Sequence, residues 1–509
     1  MDTLIRKLGQ GKLGRDKKKK PLVAVPRVAR TGRVSDGFSL SFAQERLWFL
    51  DQLDPGSPLY NIPAAVHLLG ELDAAALRAS FAEVVQRHEA LRTTFRSVAG
   101  RPLQLIAPLS PLALPVIDLG ALSSPGRAAA VARQSAEEAG RGFDLAAGPL
   151  LRCSLLRLAP CEHVLLLTLH HIVSDGWSIG VMLRELQALY GACLAAEASP
   201  LAELPLQYVD YAQWQRDRLA GGRGGGEAPE GQLAYWQQRL ADLPRLELPT
   251  DRPRPATPSH RGATLPVALP TALSRELAAF SRRHDATLFM TLLASFATLL
   301  GRTTGQTDVP VGSPIANRNH LFTEDLIGFF VNTVVLRIDL AGDSASRGPT
   351  FRDLVGRVRE LTLAADASQD VPFERVVQEL DPERDLSTTP MFQVMFVLQN
   401  APLGPMQLPG LELELMPVDS GTAKFDLTLA LEGESSLEGT LEYRRDLFDA
   451  TSMRRLLRRF EVLLGGIVAQ PERRLGELPL LSAPERAQLL WEWNDTARGF
   501  ARHQTLPAL

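Results

Sequence analysis

His170 and His171 stand side by side in the stretch Leu-His-His-Ile-Val-Ser-Asp-Gly-Trp-Ser, which continues through Asp175 and Gly176. An imidazole titrates near neutrality, so it can take or orient a proton under physiological conditions. Two histidines and an aspartate are also metal-ligand types, and a buried pair with a purely structural part is a third reading. No Cys or third His accompanies them in that stretch, which argues against a metal centre. No Gly-x-Ser-x-Gly elbow accompanies them either, so a covalent acyl-enzyme is not indicated. An imidazole without a protein nucleophile points to direct transfer between two bound substrates.

The elements that must hold these residues are written beside them. His163 to Leu169 is an apolar run that reads as a buried strand, in which successive side chains face opposite ways. On that alternation one histidine faces away from the other: if His171 opens into a cavity, His170 points into packing and orients its neighbour. Asp175 and Gly176 then make a turn. From about Ser178, the residues Ile179, Met182, Leu183, Leu186, Leu189 and Tyr190 recur at helical spacing.

His170-His171-Ile-Val-Ser-Asp175-Gly176 resembles the HHxxxDG motif of the condensation domains of nonribosomal peptide synthetases. Further stretches resemble other motifs of that family, in family order: Ser41-Phe-Ala-Gln44-Glu-Arg46-Leu-Trp48, Arg87-His88-Glu89-Ala-Leu91-Arg92, Tyr208-Val-Asp210-Tyr211-Ala-Gln-Trp214, Ile327-Gly328-Phe-Phe-Val-Asn332, Pro372-Phe373-Glu374 and Pro390-Met-Phe392-Gln393. The resemblance runs over about residues 38 to 480. It departs at Ser368, where such domains often carry His, and at the glycine-rich 220–226, which reads as a flexible loop because no strand precedes it and no Lys-Ser/Thr follows.

The resemblance implies an α/β chain, an α+β sandwich of two chloramphenicol acetyltransferase-like lobes in a V-shaped pseudodimer with a central tunnel. It implies that a donor acyl or peptidyl thioester and an acceptor aminoacyl thioester enter on phosphopantetheine arms of partner carrier proteins, and that no cofactor binds this chain. His171 would accept or orient the amine proton, and the Gly176 backbone N–H would help hold the carbonyl oxygen. His170 would support the site, and Asp175 would pair with Arg318 from the opposite lobe in a bidentate bond. Arg92 and Trp214 match framework positions of the family. The Ser-Asp-Gly-Trp-Ser context resembles domains that join an L donor to an L acceptor.

Composition fits a large enzyme. The 55 basic and 58 acidic residues among 509 nearly cancel, which gives no global field for nucleic acid or membrane. Cys153, Cys161 and Cys193 form no framework, as expected in a reducing cytoplasm. Residues 1–37 make a basic leader, solvated or docking a partner, with at most one short helix, at Thr3–Leu8. A first lobe is expected over 38–218 and a second over 219–480. Asp73 should cap a helix with Leu77, Phe81, Val84, Val85 and His88 on one face, where His88 reads as framework. Leu150–Leu158 and His163–Leu169 should be neighbouring strands. In the second lobe, Ala263–Leu269, Asp308–Pro314, Val331–Leu340, Phe392–Gln399, Leu411–Met416 and Phe425–Leu431 read as strands, with helices over Thr287–Leu300, Phe351–Ala365 and Ser452–Val468.

Residues 481–509 resemble the linker toward an adenylation domain. The chain is therefore expected to be the front of a longer multidomain protein, with the donor carrier on another polypeptide and the acceptor carrier downstream. Three alternatives remain: a starter domain attaching a fatty acyl chain, a catalytically silent domain that recruits a partner enzyme to carrier-bound substrate, and a free-standing acyltransferase.

Overall fold

The protein is described by a computed structural model at residues 25–30, 37–219, 229–342, 348–380, 388–399 and 407–497. The expected helix at Thr3–Leu8 and the glycine-rich 220–226 lie outside the described residues. The first part of the chain carries β1 (Phe38–Ser39), β2 (Asn61–Gly70), β3 (Thr93–Val98), β4 (Arg101–Ile106), β5 (Val116–Asp118), β6 (Leu151–Ala159) and β7 (Glu162–His170). Its helices are α1 (Phe42–Leu53), α2 (Ala74–Arg87), α3 (Ser124–Gly140), α4 (Gly176–Leu194) and α5 (Tyr208–Leu219). The second part carries β8 (Gly262–Ala268), β9 (Asp308–Ile315), β10 (Asn332–Asp339), β11 (Val394–Gln399), β12 (Gln407–Leu408), β13 (Leu411–Met416), β14 (Leu427–Glu432) and β15 (Glu438–Arg444). Its helices are α6 (Pro229–Arg239), α7 (Thr271–Arg283), α8 (Leu288–Thr304), α9 (Phe351–Ala367), α10 (Phe373–Leu380), α11 (Ala450–Ala469) and α12 (Ala483–Ala487).

Two six-stranded sheets organise the chain, in the orders β12-β13-β2-β7-β6-β5 and β10-β9-β11-β14-β15-β8. The run β2-β7-β6-β5 is paired antiparallel, antiparallel, parallel, and β8-β15-β14-β11 repeats that sequence of directions. Each lobe is therefore a variation on one ribbon, although no sequence repeat announces it. A small sheet, β1-β4-β3, flanks the first lobe. Leu411–Met416 is a strand as read, but it pairs with first-lobe β2, from Leu411 opposite Gly70 to Met416 opposite Ala65. A boundary drawn on chain order assigns it to the second lobe because pairing partners are set by three-dimensional closure, which periodicity does not encode.

Local chemistry accounts for the elements that position the site. Asp73 caps α2 by accepting from the N–H groups of Ala75 and Ala76. The α2 stripe Leu77, Phe81, Val84 and Val85 packs with Val181, Met182 and Leu186 of α4 against Leu165, Leu167 and Leu169 of β7. The other face of β7, with Val164 and Leu166, lies under Ala130 and Val131 of α3. Cover on both faces is why this strand reads as an unbroken apolar run. Second-lobe α8 is buried all round, is capped by Thr287 and ends at Gly305, whose φ of 77° is the left-handed conformation glycine adopts at low cost.

Of the basic leader, residues 25–30 lie against the first lobe, where the Val28 N–H donates to Asp210 at 2.7 Å and Arg30 pairs with Glu89 at 2.8 Å. Among the described residues no single helix is long and apolar enough to cross a membrane. In the second-lobe core Phe396 is fully buried, its ring 5.5 Å from that of Phe289 and 5.9 Å from that of Phe296. Phe396→Ala should cost about 3–5 kcal/mol by loss of buried surface and creation of a cavity, read as a lowered midpoint in urea unfolding.

Candidate active site

Strand β7 ends at His170, and His171 opens a single 3-10 turn, His171–Val173, before α4 begins. The two imidazoles diverge as expected, but through this turn and not through strand alternation. His170 is buried between Phe143, edge-on at 6.0 Å, and Tyr60 at 6.5 Å, and its Nδ1 accepts from the Ile172 N–H. Burial, with Lys424 and Arg152 nearby, pulls its pKa down to about 3. His171 is half-buried and turned toward the second lobe, its ring 5.1 Å from Phe329. His171 Nδ1 lies 3.1 Å from the Ser174 carbonyl, which can only accept, so Nδ1 carries the proton and Nε2 is left as the basic lone pair. Burial, Lys424 and His170 hold this imidazole well below its usual pKa, hence neutral at pH 7.

Asp175 caps α4, whose first residue is Gly176 and not the expected neighbourhood of Ser178. The Asp175 carboxylate is fully buried and accepts from the Ser178 N–H and the Phe330 N–H, at 2.8 and 3.0 Å. Arg318 reaches it from the second lobe. The expected two-pronged contact is instead made from one nitrogen, with Nη2 at 3.1 and 3.4 Å from the two carboxylate oxygens, while Nη1 donates to the carbonyls of Thr323 and Leu326. The guanidinium lies 4.1 Å from the centre of the Phe330 ring. Ser178 completes the knot, with its Oγ 2.8 Å from Arg318 Nη2 and 2.7 Å from Asp175 Oδ1. Its spacing of three from the capping Asp175 was the available sequence signal for that part.

The remaining motif residues hold the backbone of this junction. Gln44 donates to the Ile172 carbonyl beneath the His171 turn, and Tyr208 donates to the Phe329 carbonyl at 2.6 Å while bonded to Ser41. Gly328 packs so tightly that a Cβ there would lie 2.0 Å from the Tyr208 ring. His88 Nε2 donates to Glu185, leaving Nδ1 to accept from the Ile327 N–H at 3.3 Å. Trp177 Nε1 donates to the Glu324 carbonyl across the same junction. Asn332 clamps the segment before α10, donating to the carbonyls of Gln369 and Val371.

Arg92 and Trp214 stand apart from the imidazoles. Arg92 donates to the Ala107 carbonyl within the first lobe. Trp214 packs with Tyr211, His320 and Phe322 below the segment that carries Arg318. At Gly176 a Cβ would meet only Gln399 Nε2 at 3.7 Å, so packing does not impose this glycine. Among the described residues no group of three or more His, Cys, Asp and Glu side chains is arranged to hold a metal ion.

Likeness to known proteins is specific. The family described as "Condensation domain" matches residues 34–490. This chain belongs to the condensation domain family. The domain is 46% identical over 464 residues to chondramide synthase cmdD of Chondromyces crocatus, covering 91% of this chain and 12% of that protein. Eight such relatives compared are matched over only 6–20% of their own lengths. The X-domain from teicoplanin biosynthesis shares the fold with a TM-score of 0.80 and 33% identity, over 90% of this chain and all of that one. A complex of that X-domain with OxyB matches at a TM-score of 0.79 and 32% identity, over 91% of this chain and 99% of that one.

The condensation domain thus rests its His171 turn on a buried ion pair. Asp175→Asn strands the Arg318 charge and should cost about 3–5 kcal/mol in urea unfolding. His170 gives a pH signature. Its pKa is about 3 in the fold against 6.5 in the unfolded chain, so below pH 6.5 only the unfolded state gains the proton. Stability should therefore fall from pH 6.5 toward pH 3, by about 1.4 kcal/mol per pH unit for this group. His170→Asn, which retains an acceptor for the Ile172 N–H, should flatten that slope by one proton.

Proposed function

We propose that this domain forms an amide bond between two carrier-bound substrates, with His171 as the proton acceptor or orienting partner of the acceptor amine. The observation that carries the reading is the tautomer of His171, whose Nδ1–H is fixed on the Ser174 carbonyl so that Nε2 keeps a basic lone pair, on a ring that packs against Phe329 of the second lobe. The acceptor nitrogen attacks the donor thioester carbon, giving its proton to Nε2. The tetrahedral centre collapses with cleavage of the C–S bond, and the proton passes from His171 to the departing thiolate. Bond formation and bond cleavage thus balance without a protein nucleophile.

Developing charge on the carbonyl oxygen would be met by the Gly176 N–H, one of the first-turn donors that a helix leaves without an internal partner. Thioesters are already activated, so holding both reactants in attack geometry supplies much of the acceleration. His170, Asp175, Arg318, Arg92 and Trp214 act as supports in this reading. The phosphopantetheine arms belong to the substrates, one on a donor carrier and one on an acceptor carrier, with an adenylation domain adjoining residues 481–509. An L donor and an L acceptor are the expected pair. The reading places the domain in the cytoplasm, where the free Cys161 and Cys193 stay reduced.

A second reading has its own support. The X-domain was solved in complex with OxyB, and this chain is built like it. A recruiting domain would hold carrier-bound substrate and a partner enzyme without making a bond. The two readings separate when purified domain is mixed with donor-loaded and acceptor-loaded carriers and the products are weighed by intact-protein mass spectrometry. Transfer of an L-aminoacyl or L-peptidyl group onto the acceptor amine should fall about 10²–10⁴-fold in His171→Ala, the usual worth of a positioned acid–base group. Gly176→Ala should keep or slightly raise stability, since alanine costs less to order, yet slow transfer, because the N–H stays but a Cβ beside it would hinder the approach of the carbonyl. No product with L, D or fatty acyl donors would favour recruitment, and product only with a fatty acyl donor would make this a starter domain.

A further inference from the structure

After Lys20 the sequence has one lysine, Lys424, and arginine serves at every other permanently charged basic position. Lys424 sits in the segment leading into β14, between Ala423, which is fully buried, and Phe425, whose ring stacks on Phe392 at 5.1 Å. Its Nζ turns instead to the first lobe and lies 5.2 Å from the centre of the Tyr60 ring. Tyr60 in turn flanks His170. The contact therefore crosses from one lobe to the other beside the imidazole pair.

Among the described residues the ammonium has no hydrogen bond or ion pair. The nearby acid, Glu442 of β15, accepts at 3.4 Å from the Lys424 backbone N–H and is its counter-charge; burial lowers the Lys424 pKa and raises that of Glu442, each offset in part by the other's charge. Arg46 on α1 is matched with Glu374 on α10 at 3.5 Å, and Asp175 with Arg318 at the start of α4. Phe329, on the segment after Arg318, presents an uncharged ring to His171. His170 is neutral. Lys424 thus brings a positive charge beside the imidazole pair, with no carboxylate in direct contact with its Nζ among the described residues.

We propose that Lys424 is a positioning residue for amide-bond formation, an ammonium held across the lobes on Tyr60 that disfavours a second positive charge at His171 and at the incoming acceptor amine. The inference rests on the condensation reading of the site. An α-ammonium has no lone pair with which to attack, and a like charge nearby favours its free-base form. The same field acts on His171, whose depressed basicity has Lys424 among its causes. Once His171 has taken the proton, the repulsion makes it a readier donor to the departing thiolate.

The test is His171 titration by NMR of the whole chain labelled at histidine Cε1, assigned with His171→Asn, in wild type, Lys424→Met and Lys424→Arg. Carrier-to-carrier transfer is measured over the same pH range. Lys424→Met should raise the His171 midpoint by about one unit, a tenfold change in protonated fraction at a given pH. The acid limb of transfer should move up with it, with rates converging on wild type at high pH, while Lys424→Arg keeps the wild-type curve. Lys424→Gln serves as a second neutral variant should methionine repack on Tyr60. Superimposable His171 titrations in wild type and both neutral variants would overturn the inference, as would an equal loss of rate at every pH. Absence of transfer by wild type would instead overturn the condensation reading, and the titration distinguishes the two.

Discussion

The site depends on a buried charge pair between lobes. Asp175 and Arg318 are both almost completely removed from water, and neither would tolerate that alone. The arrangement lasts because each group is also bonded to backbone: the carboxylate to the N–H groups of Ser178 and Phe330, the guanidinium to the carbonyls of Thr323 and Leu326. These bonds fix the start of α4 and the 327–330 segment against each other. The His171 turn lies directly before α4, so the position of the imidazole follows from this junction.

The electrostatics of the imidazole pair follow from the same enclosure. His170 and His171 share a low-dielectric setting bordered by Lys424 and, for His170, Arg152, and every one of those influences opposes protonation. Two adjacent histidines would otherwise invite a shared proton or a metal ion. Here one is consumed by packing between Phe143 and Tyr60, and the other has its tautomer set by the Ser174 carbonyl. The division of labour is geometric: one ring supports and the other presents a lone pair.

The fold supplies this division by duplication with exchange. The pairing pattern of β2-β7-β6-β5 recurs in β8-β15-β14-β11, so the two sheets share one order of strand directions. Strand β13 then leaves the second lobe and extends the first-lobe sheet beside β2. Together with the Arg46–Glu374 pair and the Trp177–Glu324 bond, that exchange joins the lobes by backbone as well as side chain.

The strand and helix that flank the histidines, the cap at Asp73, the buried stripe of α2 and the roll of motif residues were all legible in the linear chain. Each of those rests on local periodicity or capping chemistry, which neighbouring residues display among themselves. Strands β2 and β15 escaped that reading because Pro63 interrupts the first and Glu438, Gly439 and Glu442 dilute the apolar pattern of the second. Which motif residues meet was settled only in three dimensions. Folding gathered Gln44, Tyr208, His88 and Gly328 around one junction, left Arg92 and Trp214 outside it, and sent β13 to the other lobe. It also brought Lys424 to the imidazoles across a separation of more than two hundred residues. Such meetings depend on how two lobes close, a long-range constraint that leaves no period in the sequence and is fixed only when buried polar groups must find partners.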